Sequence, residues 1–560
     1  MSFQTPSSKC STYIAGLGRL DGYQYANGVQ QYCGIPYARL PKRWTRSVLN
    51  TEWEGGYHDG TKMGNDCPHP LSDGDDADDL VPVPPPPHFS EPRKMDEFSG
   101  LVMNIVLPAA PVEGRKYPVF LYVHGGSLLY GGANLPIFDG VNLVSHSLAI
   151  NRPVVCVNFN YRVGLGGFLA SQAIKDELRA DGYEGCGNFG FTDQHVAFDW
   201  VQKYIGQLGG DPNEVTAIGE SAGGISISNQ LVAAKPPVFH RAVCMSGLAA
   251  GIPPWTMEQH EELFQAVCRH FNIDPSTADV LDQLRAIPQQ VLANATPAIQ
   301  GVLAGTGNPC MDGWFYAEGI DPREVQPPPQ WLRSFMLGDV YHEGIIFHIN
   351  LLEDSYDLIR NTLLEYVKDQ DELDTILKAY NVTPELDHNL LLERVEHMVG
   401  DAVFKVINYA TMLVSKEFRE QNKLWTYHFD QRSRVKNSFE GTAYHAHELL
   451  YLFGNLDNEL NEAERHMARD FAAAWIRFVY GEAPWEAEQV PEEGWKWKVW
   501  GPDSAQAVKT EEEDETARSY TRIKKLLSMG NGETWKRWFK GSDALVNKRM
   551  RMGKGISPTA

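Results

Sequence analysis

In the stretch TAIGESAGGIS (216–226) one serine, Ser221, stands two residues after Gly219 and two before Gly223. Glycine-flanked serines are common in loops, so the pattern acquires meaning only from what surrounds it. Here an apolar run from Val215 to Ile218 leads in, and small residues from Ala222 to Ser226 lead out. That order predicts a buried strand, a tight turn and a closely packed helix, with the hydroxyl lifted clear at the turn. A hydroxyl held this way can attack a carbonyl carbon, but it is too weak an acid to do so unaided. It needs a base within hydrogen-bond reach and a third group to hold that base. It also needs N–H donors where negative charge builds on the carbonyl oxygen. The segment HGGSLLYGG (124–132) follows another apolar run and carries little Cβ bulk. Gly125 frees its backbone to turn, and the N–H groups of Gly126, Ser127 and Ala222 are the candidate donors.

The elements that must position these groups follow from hydrophobic periodicity. Apolar runs at 117–126, 152–162, 215–221 and 241–247 read as buried strands ending in turn or functional residues. Between two of them Ala197, Val201, Ile205 and Leu208 mark one face of a helix, with Thr192 or Asp193 as its expected cap and Gly209 to Pro212 as its stop. Strands alternating with helices predict an α/β fold around a mostly parallel sheet, whose ligands gather at the carboxyl ends of the strands. Residues 71–90 combine an acidic cluster with a proline run and read as a surface flap. Residues 251–330 read as a helix-rich insertion, and 546–560 as a frayed tail.

Composition narrows the partners. The chain has 560 residues and a formal charge of -22, from 50 Lys+Arg against 72 Asp+Glu. Such a charge repels phosphate backbones, so nucleic acid is not an expected partner. No signal peptide or membrane span is visible, and the eight cysteines are sparse, with Cys156 and Cys244 inside strand-like runs. These features lead to the expectation of a reduced, cytoplasmic protein. They set no oligomeric state.

The sequence resembles the type-B carboxylesterases, the carboxylesterase/cholinesterase family of α/β-hydrolases. The resemblance covers nearly the whole chain and rests on ordered segments that include GIPYARLP (34–41), HGGS (124–127), NYRVGLGGFL (160–169), GGDPNEVTAIGESAGG (209–224), GDVYHEGIIF (338–347) and YHAHELLYLFG (444–454). It implies a central, mostly parallel twisted sheet flanked by helices, in one domain over 1–560, with helical insertions over the active site. It also implies a Ser-Glu-His triad without metal or cofactor. By the matching motifs the nucleophile is Ser221, the acid Glu343 and the base His445. His447 and His342 compete for the last role only if the motif is set aside. Glu220, beside the nucleophile, is implied as a pocket residue able to tune the site.

Where the family often closes a loop with a disulfide, this chain keeps Cys67 but has Gly100 in the partner's place. No tryptophan falls between those positions, which argues against a quaternary ammonium substrate such as acetylcholine. Ser127 replaces a third glycine and Ala446 the usual glycine after the base, and neither change removes a catalytic group. The expected function is two-step hydrolysis of a small or medium apolar carboxylic ester through an acyl-enzyme. Two alternatives are a lactonase, transacylase or cyclising enzyme on the same triad, and a non-catalytic adhesion or scaffold protein on the same fold. The second is disfavoured because all three triad positions are filled.

Overall fold

Runs rich in Val, Ile, Leu and Phe, buried on both faces, form the centre of the sheet, as a parallel sheet covered on both sides requires. A computed structural model of the chain describes residues 3–71, 83–89, 91–108, 114–300, 307–486 and 495–547. Most of the flap expected over 71–90, and the tail beyond residue 547, lie outside the described residues. In chain order the strands on the main path of the sheet are β1 (Ser8–Ile14), β2 (Gly18–Gln24), β3 (Gln30–Pro36), β4 (Val102–Leu107), β5 (Tyr117–Val123), β6 (Val155–Phe159), β7 (Gly210–Glu220), β8 (Arg241–Met245), β9 (Ser334–Val340), β10 (Lys423–Phe429), β11 (Lys496–Trp500) and β12 (Gln506–Thr510). Their order across the sheet is β1-β2-β3-β4-β6-β5-β7-β8-β9-β10-β11-β12, and a short strand, Tyr57–Asp59, pairs with β2 off this path.

From β6 to β11 every pairing is parallel, while β1 to β4 and β12 form antiparallel flanks. The expected strand runs coincide with β5, β6, β7 and β8. The chain leaves β7 at Glu220 and enters a helix at Ala222–Leu231, so Ser221 occupies the turn between them.

One expectation about a helix boundary is corrected. The helix that precedes β7 runs Phe189–Tyr204 and starts earlier than Thr192 or Asp193, with Asn188 at its N-cap in the left-handed conformation (φ 51°). Asp193 does not cap because its carboxylate is already engaged. It accepts two hydrogen bonds of 2.7 Å from the buried Arg162 guanidinium and one of 2.6 Å from the Ser47 hydroxyl. Within 251–330 the described helices are Met257–His270, Val280–Ala286, Gln289–Asn294 and Thr296–Gln300. This segment touches the glycine turn, where the Gly307 N–H donates to the Ser127 carbonyl at 2.8 Å. Among the described residues no helix is long and apolar enough to cross a membrane.

Candidate active site

Ser221 holds φ 55° and ψ −126°, a conformation that costs a non-glycine residue on the order of 1–3 kcal/mol. The sequence maintains it by removing side chains around it. A Cβ on Gly223 would lie 2.0 Å from the Val123 carbonyl oxygen, so only glycine lets the helix start this close to β5. The Ser221 N–H donates to the Met245 carbonyl at 2.8 Å, and its carbonyl accepts from the Ile225 N–H at 2.9 Å. Backbone bonds on both sides therefore fix the turn. Among the described residues the Ser221 hydroxyl makes no hydrogen bond, with His445 or any other group.

His445 and Glu343 meet across 102 residues of sequence, with Nδ1 and Oε2 2.5 Å apart. Glu343 follows β9, and its other oxygen accepts from the Ser246 hydroxyl and the Val340 N–H, each at 2.8 Å. The carboxylate is thus aimed at His445 by groups at the carboxyl ends of β8 and β9. On its far side His445 presents Nε2 to Glu220 Oε1 at 3.0 Å, close enough for an ion pair but without hydrogen-bond alignment. Glu220 and Ser221 both approach Gly125, where an added Cβ would stand 3.1 Å from Glu220 Oε2 and 3.1 Å from Ser221 Cβ. The residues picked from the sequence therefore converge on one spot.

Burial alone would keep His445 neutral, but the Glu220 and Glu343 carboxylates outweigh it and hold the imidazole up to about 9. Burial pushes Glu220 up to about 7 against the pull of His445, and Glu343 adds to the rise. The rival histidines face elsewhere. His447 bonds to the Gln431 carbonyl at 3.2 Å, and burial lowers it to about 3. His342 stacks on His397 with ring centres 3.9 Å apart and lies 3.5 Å from Glu396.

The glycine turn carries its strain in successive residues, with φ 105° at Gly126, 56° at Ser127 and 56° at Leu128. Its shape folds the chain back so that the Gly126 carbonyl accepts from the Leu129 and Tyr130 N–H groups. Ala222 is the first residue of its helix, where an N–H has no helical partner and the helix dipole favours negative charge.

Sequence reasoning did not assign Glu448, Ser246 or Arg518. Glu448 is buried beside the His445 segment with both side-chain oxygens lacking a hydrogen-bond partner, and burial together with Glu220 and Glu343 pushes it well above the ordinary carboxyl range. Its presence three residues after His445 was readable, but its burial was not. Ser246 lies in the quoted run 241–247 with no signal that its hydroxyl reaches Glu343. Arg518 comes from the far C-terminal part of the chain, and nothing local marks it. Cys67 is free, with Sγ 3.6 Å from the Gly100 carbonyl. Among the described residues no group of three or more His, Cys, Asp or Glu could hold a metal ion.

Comparison with known proteins agrees with this architecture. Lipase 3 of Yarrowia lipolytica is 26% identical over 478 residues, covering 83% of this chain and 87% of the relative. The para-nitrobenzyl esterase of Bacillus subtilis is 27% identical over 475 residues, covering 81% and 86%. A solved thermophilic PNB esterase superposes with a TM-score of 0.70 at 24% identity, over 91% of this chain and 99% of that one, which supports the fold. Residues 9–527 match the carboxylesterase family as a whole. A match of that extent places the chain in the carboxylesterase family, as a carboxylesterase-type hydrolase with an α/β-hydrolase fold.

Proposed function

We propose that the protein hydrolyses small to medium apolar carboxylic esters through an acyl-enzyme formed on Ser221. The observation that carries this reading is the 2.5 Å pairing of His445 Nδ1 with Glu343 beside the strained Ser221 turn. Neutral His445 accepts the Ser221 proton at Nε2 as Oγ attacks the ester carbonyl. The new oxyanion receives the N–H groups of Gly126, Ser127 and Ala222. Glu343 fixes the tautomer with the proton on Nδ1 and stabilises the imidazolium, which then gives its Nε2 proton to the departing alcohol. Water repeats the sequence on the acyl-enzyme and releases the carboxylate. Nε2 must leave Glu220 and turn to Ser221 for this to occur, a tightening expected when substrate is bound. Preference for apolar groups is supported by the Phe404 ring, centred 4.9 Å from the His445 ring, and by pocket walls of this kind being largely apolar.

The test is a series of chromogenic esters of graded acyl length, with lactones included, run on wild type and Ser221→Ala. The serine variant is expected to lose turnover by a factor on the order of 10⁴–10⁶ while melting like the wild type. A fluorophosphonate should label the wild type at Ser221 and leave the variant untouched. Retained turnover in the alanine variant, or labelling at another residue, rules the reading out.

A further inference from the structure

Away from Ser221 a cavity of about 740 Å³ lies over the antiparallel flank of the sheet. Its floor includes a continuous cross-strand row. Lys9 pairs with Tyr23, Tyr23 with Gln31, Gln31 with Val106, and Val106 with Cys156, so one side chain from each of β1, β2, β3, β4 and β6 faces the same way. The alternate residues of these strands, among them Tyr32, Ile105 and Val157, point into the main core on the other face. Further along, helices Glu448–Phe453 and Glu462–Val479 cover the floor's face of the sheet. Over the flank the proline-rich segment 83–89, a stiff chain, lines the cavity instead. Tyr23 pins that segment from below, edge-on to His88 at 5.3 Å and to Phe89 at 5.9 Å.

Among the described residues the lining of this cavity is basic, in an acidic protein. Six charged residues line it, and four of them, Lys9, Lys62, Arg93 and Lys94, are cations. Lys62 pairs with Asp59 at 3.2 Å and Arg93 with Asp66 at 3.6 Å. Among the described residues neither Lys9 nor Lys94 has a carboxylate partner. Of the two acids, Asp139 is already engaged by the Gln31 amide and the Val141 N–H, both at 2.9 Å, and Glu91 stands at the exposed rim. The walls mix apolar side chains such as Val83, Leu135 and Phe138 with the amides of Asn65, Asn104 and Asn134. A volume within the roughly 300–1,000 Å³ of small-molecule pockets, apolar side chains in the walls and two rim ammonium groups with no carboxylate partner among the described residues suit a ligand that carries both characters.

The geometry points to this cavity as a binding site for an amphipathic organic anion, a carboxylate with an apolar body. Ester hydrolysis releases such molecules, an identification that rests on the proposed reaction. None of the residues lining the cavity belongs to the proposed reaction centre, so the two sites share no side chain.

Calorimetric titration tests the inference on protein capped at Ser221 by a fluorophosphonate, with capping followed by intact mass. Failure to cap reports on Ser221 and leaves the cavity measurement possible on Ser221→Ala. Decanoate is expected to bind one site, more weakly as salt is raised, while decanol and inorganic phosphate bind roughly tenfold more weakly or not at all. Lys9→Glu/Lys94→Glu, two exposed changes, and Leu135→Trp, which fills the cavity, should each reduce decanoate affinity by about tenfold or more while ester turnover persists. Undiminished binding in both variants, no binding to the capped protein, or decanol or phosphate binding as tightly as decanoate would overturn it.

Discussion

The Nε2 atom of His445 stands 3.0 Å from Oε1 of Glu220, the residue immediately before Ser221. The imidazole is therefore gripped from both ends, by Glu343 at Nδ1 and by Glu220 at Nε2. Each carboxylate favours the charged ring, yet only one contact helps the proposed reaction. Glu343 holds the ring so that Nε2 can face Ser221, whereas Glu220 competes with the serine hydroxyl for that same nitrogen.

This competition gives a signed pH prediction. The proposed attack requires neutral His445, and the two carboxylates overcome burial to hold it up to about 9, so the acid limb of kcat/KM should stand above the ordinary histidine value. Glu220→Gln keeps the size of the side chain and deletes its charge, so the limb should move to lower pH. Each unit of movement raises the neutral fraction at pH 6 by about tenfold. A pH series on both proteins checks this, and an unmoved limb would exclude Glu220 from any control of the base.

Glu448 bears on stability with a different sign. Its carboxyl is held well above the ordinary range, so the folded protein keeps a proton there that the unfolded chain loses near the ordinary value. The stabilising effect of that proton is fully present at low pH and is lost as pH rises toward the folded value. Glu448→Gln mimics the protonated form at every pH. The variant's melting temperature should therefore gain on wild type between pH 5 and pH 8, and thermal melts across that window would show it. A constant difference would mean that Glu448 is already ionised in the fold.

What could be read from the sequence divides along the range of the interactions. The strand, turn and helix around Ser221 were legible because apolar periodicity and glycine spacing act within a dozen residues. His445 and Glu343 lie far apart in the chain, so only ordered resemblance to a family could pair them. Asp193 looked like a helix cap and is not, because Arg162 claims its carboxylate from outside the helix. The row Lys9, Tyr23, Gln31, Val106 and Cys156 was invisible, since it exists only in the register of five strands.

Ser127 tests whether the glycine turn works through its backbone. It holds φ 56°, where a Cβ is strained by roughly 1–2 kcal/mol. Ser127→Gly removes the Cβ and the hydroxyl but keeps the N–H. Its kcat/KM should stay within about threefold of wild type, since losing a true oxyanion donor costs about 10²–10³ in kcat. A loss of that larger size in the glycine variant would assign the function to the hydroxyl and not to the N–H.

Arg518 ties the C-terminal part of the chain to the turn that carries Glu343. It donates to Asp339 at 2.8 Å and to the Val340 carbonyl at 3.1 Å, and it pairs with Asp430. Asp339 also binds His428 Nδ1 at 2.7 Å, and the Val340 N–H is the group that bonds Glu343. All of these side chains are buried, so removing the single arginine leaves two aspartates without their main counter-charge. Arg518→Met should cost about 3–5 kcal/mol in denaturant unfolding. Because the disturbed turn positions the proposed acid and not the substrate, kcat should fall with KM nearly constant. Arg518→Lys keeps the charge but loses the planar fork, so it should recover part of both. If the methionine variant raised KM and left kcat intact, the network would be shaping the substrate pocket and not the Glu343 turn.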